Sequence, residues 1–188
     1  MKELENKKWK VLDSEYLSRK PWFTVRCEKV ELPNGNIIPE YYVFEYPEWV
    51  NVIAITKEKK FVFISQYRHG LGETSYELCA GVCETTDASP LVSAQRELLE
   101  ETGYGNGKWE EWMVIGVNPS THTNLTHCYL ATDVEPVEAQ HLEETEYLTV
   151  HLLSLEEVIE LLKDDKIKQA LHVAPLWKYM AVNNYLPG

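Results

Sequence analysis

A chain of 188 residues with 44% apolar side chains is long enough for one domain with a full core and too short for two ordinary ones. Its 18 basic and 30 acidic side chains leave a formal net charge of -12, which supplies no general attraction for nucleic acid or an anionic membrane, so neither is expected as a partner. The four cysteines, Cys27, Cys79, Cys83 and Cys128, lack CxxC spacing, and the N-terminus MKELENKKWK is charged from the outset with no signal peptide in view; a reducing cytoplasm is the expected setting.

In chain order, residues 1–8 read as a frayed tail. From Trp22 to Leu32 apolar and polar residues alternate in part, Pro33, Asn34, Gly35 and Asn36 supply a hairpin turn, and residues 37–46 return as a second strand. A two-stranded ribbon is poorly stable alone, so this N-terminal antiparallel extension has to pack on the main domain or on another subunit. Residues 50–56 and 60–67 are two further strands about a turn at 57–59, followed by the run Gln66 to Gly70 and a short strand from Tyr76 to Gly81 that enters a glycine loop. Residues 90–102 read as a helix. Strands follow at 109–117 and 126–132, joined by a loop at 118–124, and an acidic loop at 141–146 precedes a last strand at 148–153. Ser154 with Glu157 forms a capping box that opens a helix to about Lys163, and residues 167–183 form another, with Pro175 as a kink or break. Strands early, one helix in the middle and helices late indicate an α/β fold, a mixed sheet with helices on its faces.

The middle helix carries the chemistry. Ser89 suits its N-cap, Pro90 its first position and Gly103 a left-handed residue just past its end. At about 100° per residue, Glu97, Glu100 and Glu101 fall close together beside a stripe of Leu91, Ala94 and Leu98. Three adjacent carboxylates repel one another, and no lysine is interspersed at four-residue spacing to relieve them. A hard divalent cation bound through oxygens would, which points to Mg²⁺ or Mn²⁺. A solvated acidic face is the plainer alternative, but the strand and glycine loop feeding this helix count against it.

The stretch Gly81 to Gly103 resembles the Nudix box, the signature of hydrolases that cleave a nucleoside diphosphate joined to another group. Arg96, Glu97, Leu98, Glu100, Glu101 and Gly103 match that pattern as they stand. Asp87 stands where an earlier Glu is expected, and eight residues rather than seven separate it from Arg96. Residues 49–55, the run Gln66 to Gly70 and the run Glu77 to Gly81 are similar to the ADP-ribose pyrophosphatase branch. The resemblance implies a Nudix-type α/β/α sandwich with an N-terminal antiparallel sheet extension, one domain over 1–188 with the extension at about 9–46 and the core at about 47–188. It also implies a homodimer that exchanges its N-terminal strands.

By the same resemblance, Glu97, Glu100, Glu101 and the Ala80 carbonyl hold the metal, and Arg96 orients a box glutamate. Arg68 contacts the substrate's phosphates. A loop carboxylate before the last strand acts as the base; Glu146 matches that position best, followed by Glu144 and then Glu143. Trp9, Tyr41 and Tyr42 are candidates for stacking on the base of the substrate, core or interface packing being the alternative for each. The implied activity is metal-dependent hydrolysis of a nucleoside diphosphate sugar, with ADP-ribose giving AMP and ribose 5-phosphate. GDP-mannose or another nucleotide sugar is the alternative within the class, and a non-catalytic ADP-ribose sensor the alternative outside it. The intact Arg96, Glu97, Glu100 and Glu101 favour the enzyme.

Overall fold

The computed structural model describes residues 4–185. The chain divides into two compact units, the first made of the chain up to Tyr46 together with residues 118–124 and the second of the remainder.

The first unit is a three-stranded antiparallel sheet in the order β1 (Lys10–Lys20), β2 (Phe23–Glu31), β3 (Ile37–Glu45). The expected hairpin joins β2 to β3, closed by Leu32 N–H donating to the Asn36 carbonyl at 2.8 Å, with Gly35 at φ 84° in the turn. The sequence reading of a two-stranded ribbon misses β1. That strand is bulged twice, between Val11 and Asp13 and between Tyr16 and Ser18, so its apolar residues never keep one period. Of the tail expected at 1–8, residues 1–3 lie outside the described residues, and residues 4–9 form no regular element. The segment 118–124 runs beside β3, where Phe44 N–H donates to the Thr121 carbonyl at 2.7 Å and the His122 ring sits 5.8 Å from Phe44 and 5.0 Å from Tyr46.

The second unit is a mixed sheet between helices. Its strands are β4 (Trp49–Thr56), β5 (Phe61–Arg68), β6 (Glu73–Glu77), β7 (Cys79–Val82), β8 (Tyr104–Gly105), β9 (Lys108–Ile115), β10 (Thr126–Pro136) and β11 (Leu148–Leu153). The backbone order is β11-β5-β4-β10-β8, with β6 on β5, β7 on β4 and β9 on β10. Only β4 and β10 run parallel among these pairs. The helices are α1 (Pro90–Thr102), α2 (Leu155–Lys163) and α3 (Ala170–Val182). Strand side chains alternate between faces, and here that alternation separates two cores. Val50, Val52, Ala54 and Val62 pack with Ala94 and Leu98 of α1. Ile53, Ile55, Phe61 and Phe63 pack with Val158 and Leu162 of α2 and Leu176 and Met180 of α3. Both faces being covered explains why β4 reads as an unbroken apolar run.

Three local expectations change. The single strand expected from Tyr76 to Gly81 is two, because Leu78 turns fully into the core and hands the chain from β5 to β4. The helix expected from residue 167 begins at Ala170, with Gln169 in extended conformation at its start. Pro175 does not break it. Proline cannot donate to the carbonyl four residues back, Leu171, and the buried Asn51 Nδ2 donates to that carbonyl instead at 2.8 Å. The capping box of α2 is present, with Glu157 N–H donating to Ser154 Oγ at 3.2 Å and Ser154 N–H to Glu157 Oε2 at 2.6 Å. Among the described residues no helix is long and apolar enough to cross a membrane.

Candidate active site

The box helix starts and stops where local chemistry dictates. Ser89 is extended and its hydroxyl accepts from Val92 N–H, Pro90 opens the first turn, and Gly103 at φ 75° ends the helix with its N–H on the Leu99 carbonyl at 2.7 Å. The helix lies against β7, and that contact organises the carboxylates. Ala80 N–H donates to Glu101 Oε2 at 3.1 Å, and Val82 N–H to Glu97 Oε1 at 3.2 Å. Gly81, between them, is where the Glu97 carboxylate comes so close that a Cβ would overlap it. Any side chain at this glycine would push the Glu97 carboxylate out of its place.

Arg96 ties the rest together. Its Nη1 donates to Glu97 Oε1 and Glu100 Oε2, each at 3.0 Å, and its Nη2 to the Val82 carbonyl at 3.0 Å and to Asp87 Oδ2 at 3.1 Å. Asp87 Oδ2 also accepts from Ser93 Oγ at 2.8 Å and Glu84 N–H at 3.3 Å. The Ser93 hydroxyl and then the Arg96 guanidinium hold Asp87 below the usual carboxylate range. In the irregular first half of the box, Asp87 thus brings a carboxylate to Arg96 although it is one methylene shorter than the expected Glu.

The three box carboxylates differ in environment. Glu101 is 3% exposed, and burial pushes its pKa up to about 8 against the opposing pull of the Cys79 thiol and Ala80 N–H. Burial also raises Glu97, while Arg96 pulls it back. Glu100 is the most exposed of the three. Among the described residues no three acidic, His or Cys side chains converge on one metal-sized point, since Glu97 and Glu101 turn onto the backbone of β7 and Glu100 onto Arg96. The donor chemistry still fits a hard divalent cation. No basic side chain among the described residues bonds Glu101, and a buried carboxylate without one is relieved by a cation.

The acidic loop is pinned to the end of this helix. Gln140 Nε2 donates to the Glu101 carbonyl at 2.6 Å and His141 N–H to the Glu100 carbonyl at 2.9 Å, satisfying two of the orphan acceptors of the last turn. Further on, Glu143 N–H donates to Glu146 Oε2 at 3.1 Å and Glu146 N–H to the Glu143 carbonyl at 3.0 Å. Glu146 is half-buried and its charge is felt at Glu101, whereas Glu143 and Glu144 are exposed.

Arg68, at the end of β5, is committed to a partner the sequence did not reveal. It bonds both carboxylate oxygens of the buried Glu77, at 2.8 and 2.5 Å. Gln140, His141 and Glu77 escape sequence reasoning because their roles depend on tertiary contacts; Glu77 is in view there only as the first residue of a run similar to the ADP-ribose pyrophosphatase branch. The aromatic candidates lie in the first unit. Trp9 and Tyr41 meet edge to face at 5.5 Å, and the Tyr41 hydroxyl donates to the Ser120 carbonyl. Tyr42 occupies the opposite face of β3, its hydroxyl on Glu40 Oε2 at 3.0 Å, so the three do not form one stack.

Comparison with known proteins accords with this geometry. Residues 9–44 match the nucleoside diphosphate sugar hydrolase N-terminal domain, and residues 45–174 match the NUDIX domain. The chain is 31% identical over 171 residues to the ADP-ribose pyrophosphatase of Bacillus subtilis, covering 90% of each. It is 35% identical over 144 residues to the methanol dehydrogenase activator of Bacillus methanolicus, covering 76% of this chain and 77% of that one. The solved structure of an ADP compounds hydrolase superposes with a TM-score of 0.81 over 99% of this chain and 100% of that one; at 23% identity the likeness is one of fold. With its box, its helix and its carboxylates in place, the chain belongs to the Nudix hydrolase family.

Proposed function

We propose that this hydrolase cleaves the pyrophosphate bond of ADP-ribose, adding water to give AMP and ribose 5-phosphate. The observation that carries the proposal is the set of three carboxylates within one turn of α1, fixed by Arg96 and by the N–H groups of Ala80 and Val82. The relatives named ADP-ribose pyrophosphatase support the substrate. Glu97, Glu100, Glu101 and the Ala80 carbonyl would hold Mg²⁺ or Mn²⁺. When bound, such an ion supplies charge neutralisation at the phosphates and acidifies a water.

The remaining roles belong to the chain. Glu146 accepts the proton of the attacking water at its carboxylate; its partial burial and its electrostatic link to Glu101 favour it over Glu144 and Glu143. Arg96 holds Glu97 and Glu100 in place and does not itself contact substrate. Arg68 receives a phosphate oxygen. Trp9, Tyr41 or Tyr42 stacks on the base, Trp9 and Tyr41 lying edge to face against each other.

The working enzyme in this reading is a homodimer with exchanged N-terminal strands, in a reducing cytoplasm. Exposed Val11, Leu17, Trp22, Phe23 and Ile37 on the first unit support an interface, since so much apolar surface is seldom left to solvent. Light scattering at micromolar concentration is expected to give twice the mass of 21.8 kDa, and a monomer would refute the dimer.

The substrate is tested by product release from ADP-ribose, GDP-mannose, UDP-glucose and dNTPs with Mg²⁺. Cleavage of ADP-ribose above the others is expected. Preference for GDP-mannose would move the assignment within the class, and tight binding of ADP-ribose without cleavage would replace it by a sensor.

A further inference from the structure

Glu77 is the most deeply buried carboxylate among the described residues, 1% exposed. Burying a carboxylate is unfavourable, and an apolar side chain would join two strands at lower cost. Glu77 is nevertheless fully engaged. Arg68 Nε donates to Oε1 at 2.8 Å and Nη2 to Oε2 at 2.5 Å, and Ser75 Oγ donates to Oε1 at 3.3 Å. From α3, His172 Nε2 stands 3.6 Å from Oε2 and 2.8 Å from Gln169 Oε1.

The choice of partner is informative. In register, Arg68 faces Glu73, an exposed glutamate that would pair with it at little desolvation cost. Arg68 reaches back along the strand to Glu77 instead. A two-point fork fixes the plane of a guanidinium, which a single exposed contact does not. The pairing leaves Nη1 without a bond among the described residues, leaves 42% of the Arg68 side chain exposed, and sets it within electrostatic reach of Glu101.

We propose that Glu77 is a positioning residue for substrate binding: it locks the Arg68 guanidinium so that its free edge is ready for a nonbridging phosphate oxygen, with the Ser75 hydroxyl steadying Glu77 from behind. This rests on the reading of Arg68 as the phosphate contact.

The test is calorimetric binding, in EDTA so that nothing turns over, of the sugar diphosphate that wild type cleaves, with thermal melting alongside. Arg68→Ala and Glu77→Gln are each expected to weaken binding about 10-fold to 100-fold. In the Arg68→Ala background Glu77→Gln is expected to add no further loss, which a merely structural role does not predict. Should Glu77→Gln fail to fold, Ser75→Ala gives a smaller loss in the same direction, again absent without Arg68. Wild-type affinity in Glu77→Gln beside a weakened Arg68→Ala overturns the proposal alone, as do additive losses. Unchanged affinity in Arg68→Ala overturns it together with the assignment of Arg68.

Discussion

The box helix and the acidic loop that follows β10 carry the same kind of side chain and treat it in opposite ways. On α1, Glu97 and Glu101 are buried and bonded to backbone N–H groups of β7, and Arg96 is spread over three carboxylates and a carbonyl. In the loop, Glu143 and Glu144 are exposed and, among the described residues, Glu146 is hydrogen-bonded only in a turn it makes with Glu143. Holding a cation favours fixed donors whose repulsion is already relieved in part, whereas moving a proton favours a carboxylate free to approach and withdraw. The two regions are joined at the C-terminal end of the helix, where Gln140 and His141 bond the carbonyls of its last turn and the N–H groups of Val137 and Glu138 bond that of Gly103.

The sharpest way to break this contrast is at Glu101. Glu101→Gln keeps the shape and removes the charge, and turnover at saturating substrate is expected to fall on the order of 10³-fold. Retention of wild-type turnover would show that the buried carboxylate is only structural.

The next effect lies behind the site and is thermodynamic. Burial lowers the pKa of His172 from 6.5 to about 4, with Glu77 opposing the shift. At this group the unfolded state binds more protons than the folded one between those values, so the contribution of His172 to stability is full above pH 6.5 and is lost as pH falls toward 4, whereas the raised pKa of Glu101 acts in the opposite direction. The loss attributable to this group is on the order of 3 kcal/mol across that window. Urea unfolding of wild type and His172→Gln at pH 7 and pH 5 checks it: the stability gained from pH 5 to pH 7 is expected to be larger in wild type than in the variant, and an equal gain in both would contradict it.

In the loop, Glu146→Gln is expected to lower turnover about 10²-fold, and Glu144→Gln much less. Equal effects would mean that the loop acts through its net charge. The smallest expected effect is at the start of α1. Ser89→Ala removes the hydroxyl that accepts from Val92 N–H, costing about 1 kcal/mol of stability with the site's chemistry kept.

What could be read from the chain divides along the same line. Ser89, Pro90 and Gly103 bound α1 by short-range chemistry, and the structure keeps both ends where the sequence places them. The strand at 148–153 was equally plain. Where a feature depends on a distant partner, the sequence was silent or misleading. Pro175 signalled a kink or break, and the helix runs through it with Asn51, far away in the chain, taking the freed Leu171 carbonyl. Strand β1 was hidden by its two bulges. In the site, the carboxylates could be counted from the sequence, but which of them would be buried, and that Arg68 would belong to Glu77, depended on how β6 and β7 part around Leu78.

The most direct test of the division between helix and loop is Mn²⁺ binding by electron paramagnetic resonance, measured together with ADP-ribose turnover, in Glu101→Gln and Glu146→Gln. Weakened Mn²⁺ binding with lost turnover in Glu101→Gln, and wild-type Mn²⁺ affinity with turnover down about 10²-fold in Glu146→Gln, is the predicted outcome. Wild-type Mn²⁺ affinity in Glu101→Gln, or wild-type turnover in Glu146→Gln, would contradict it.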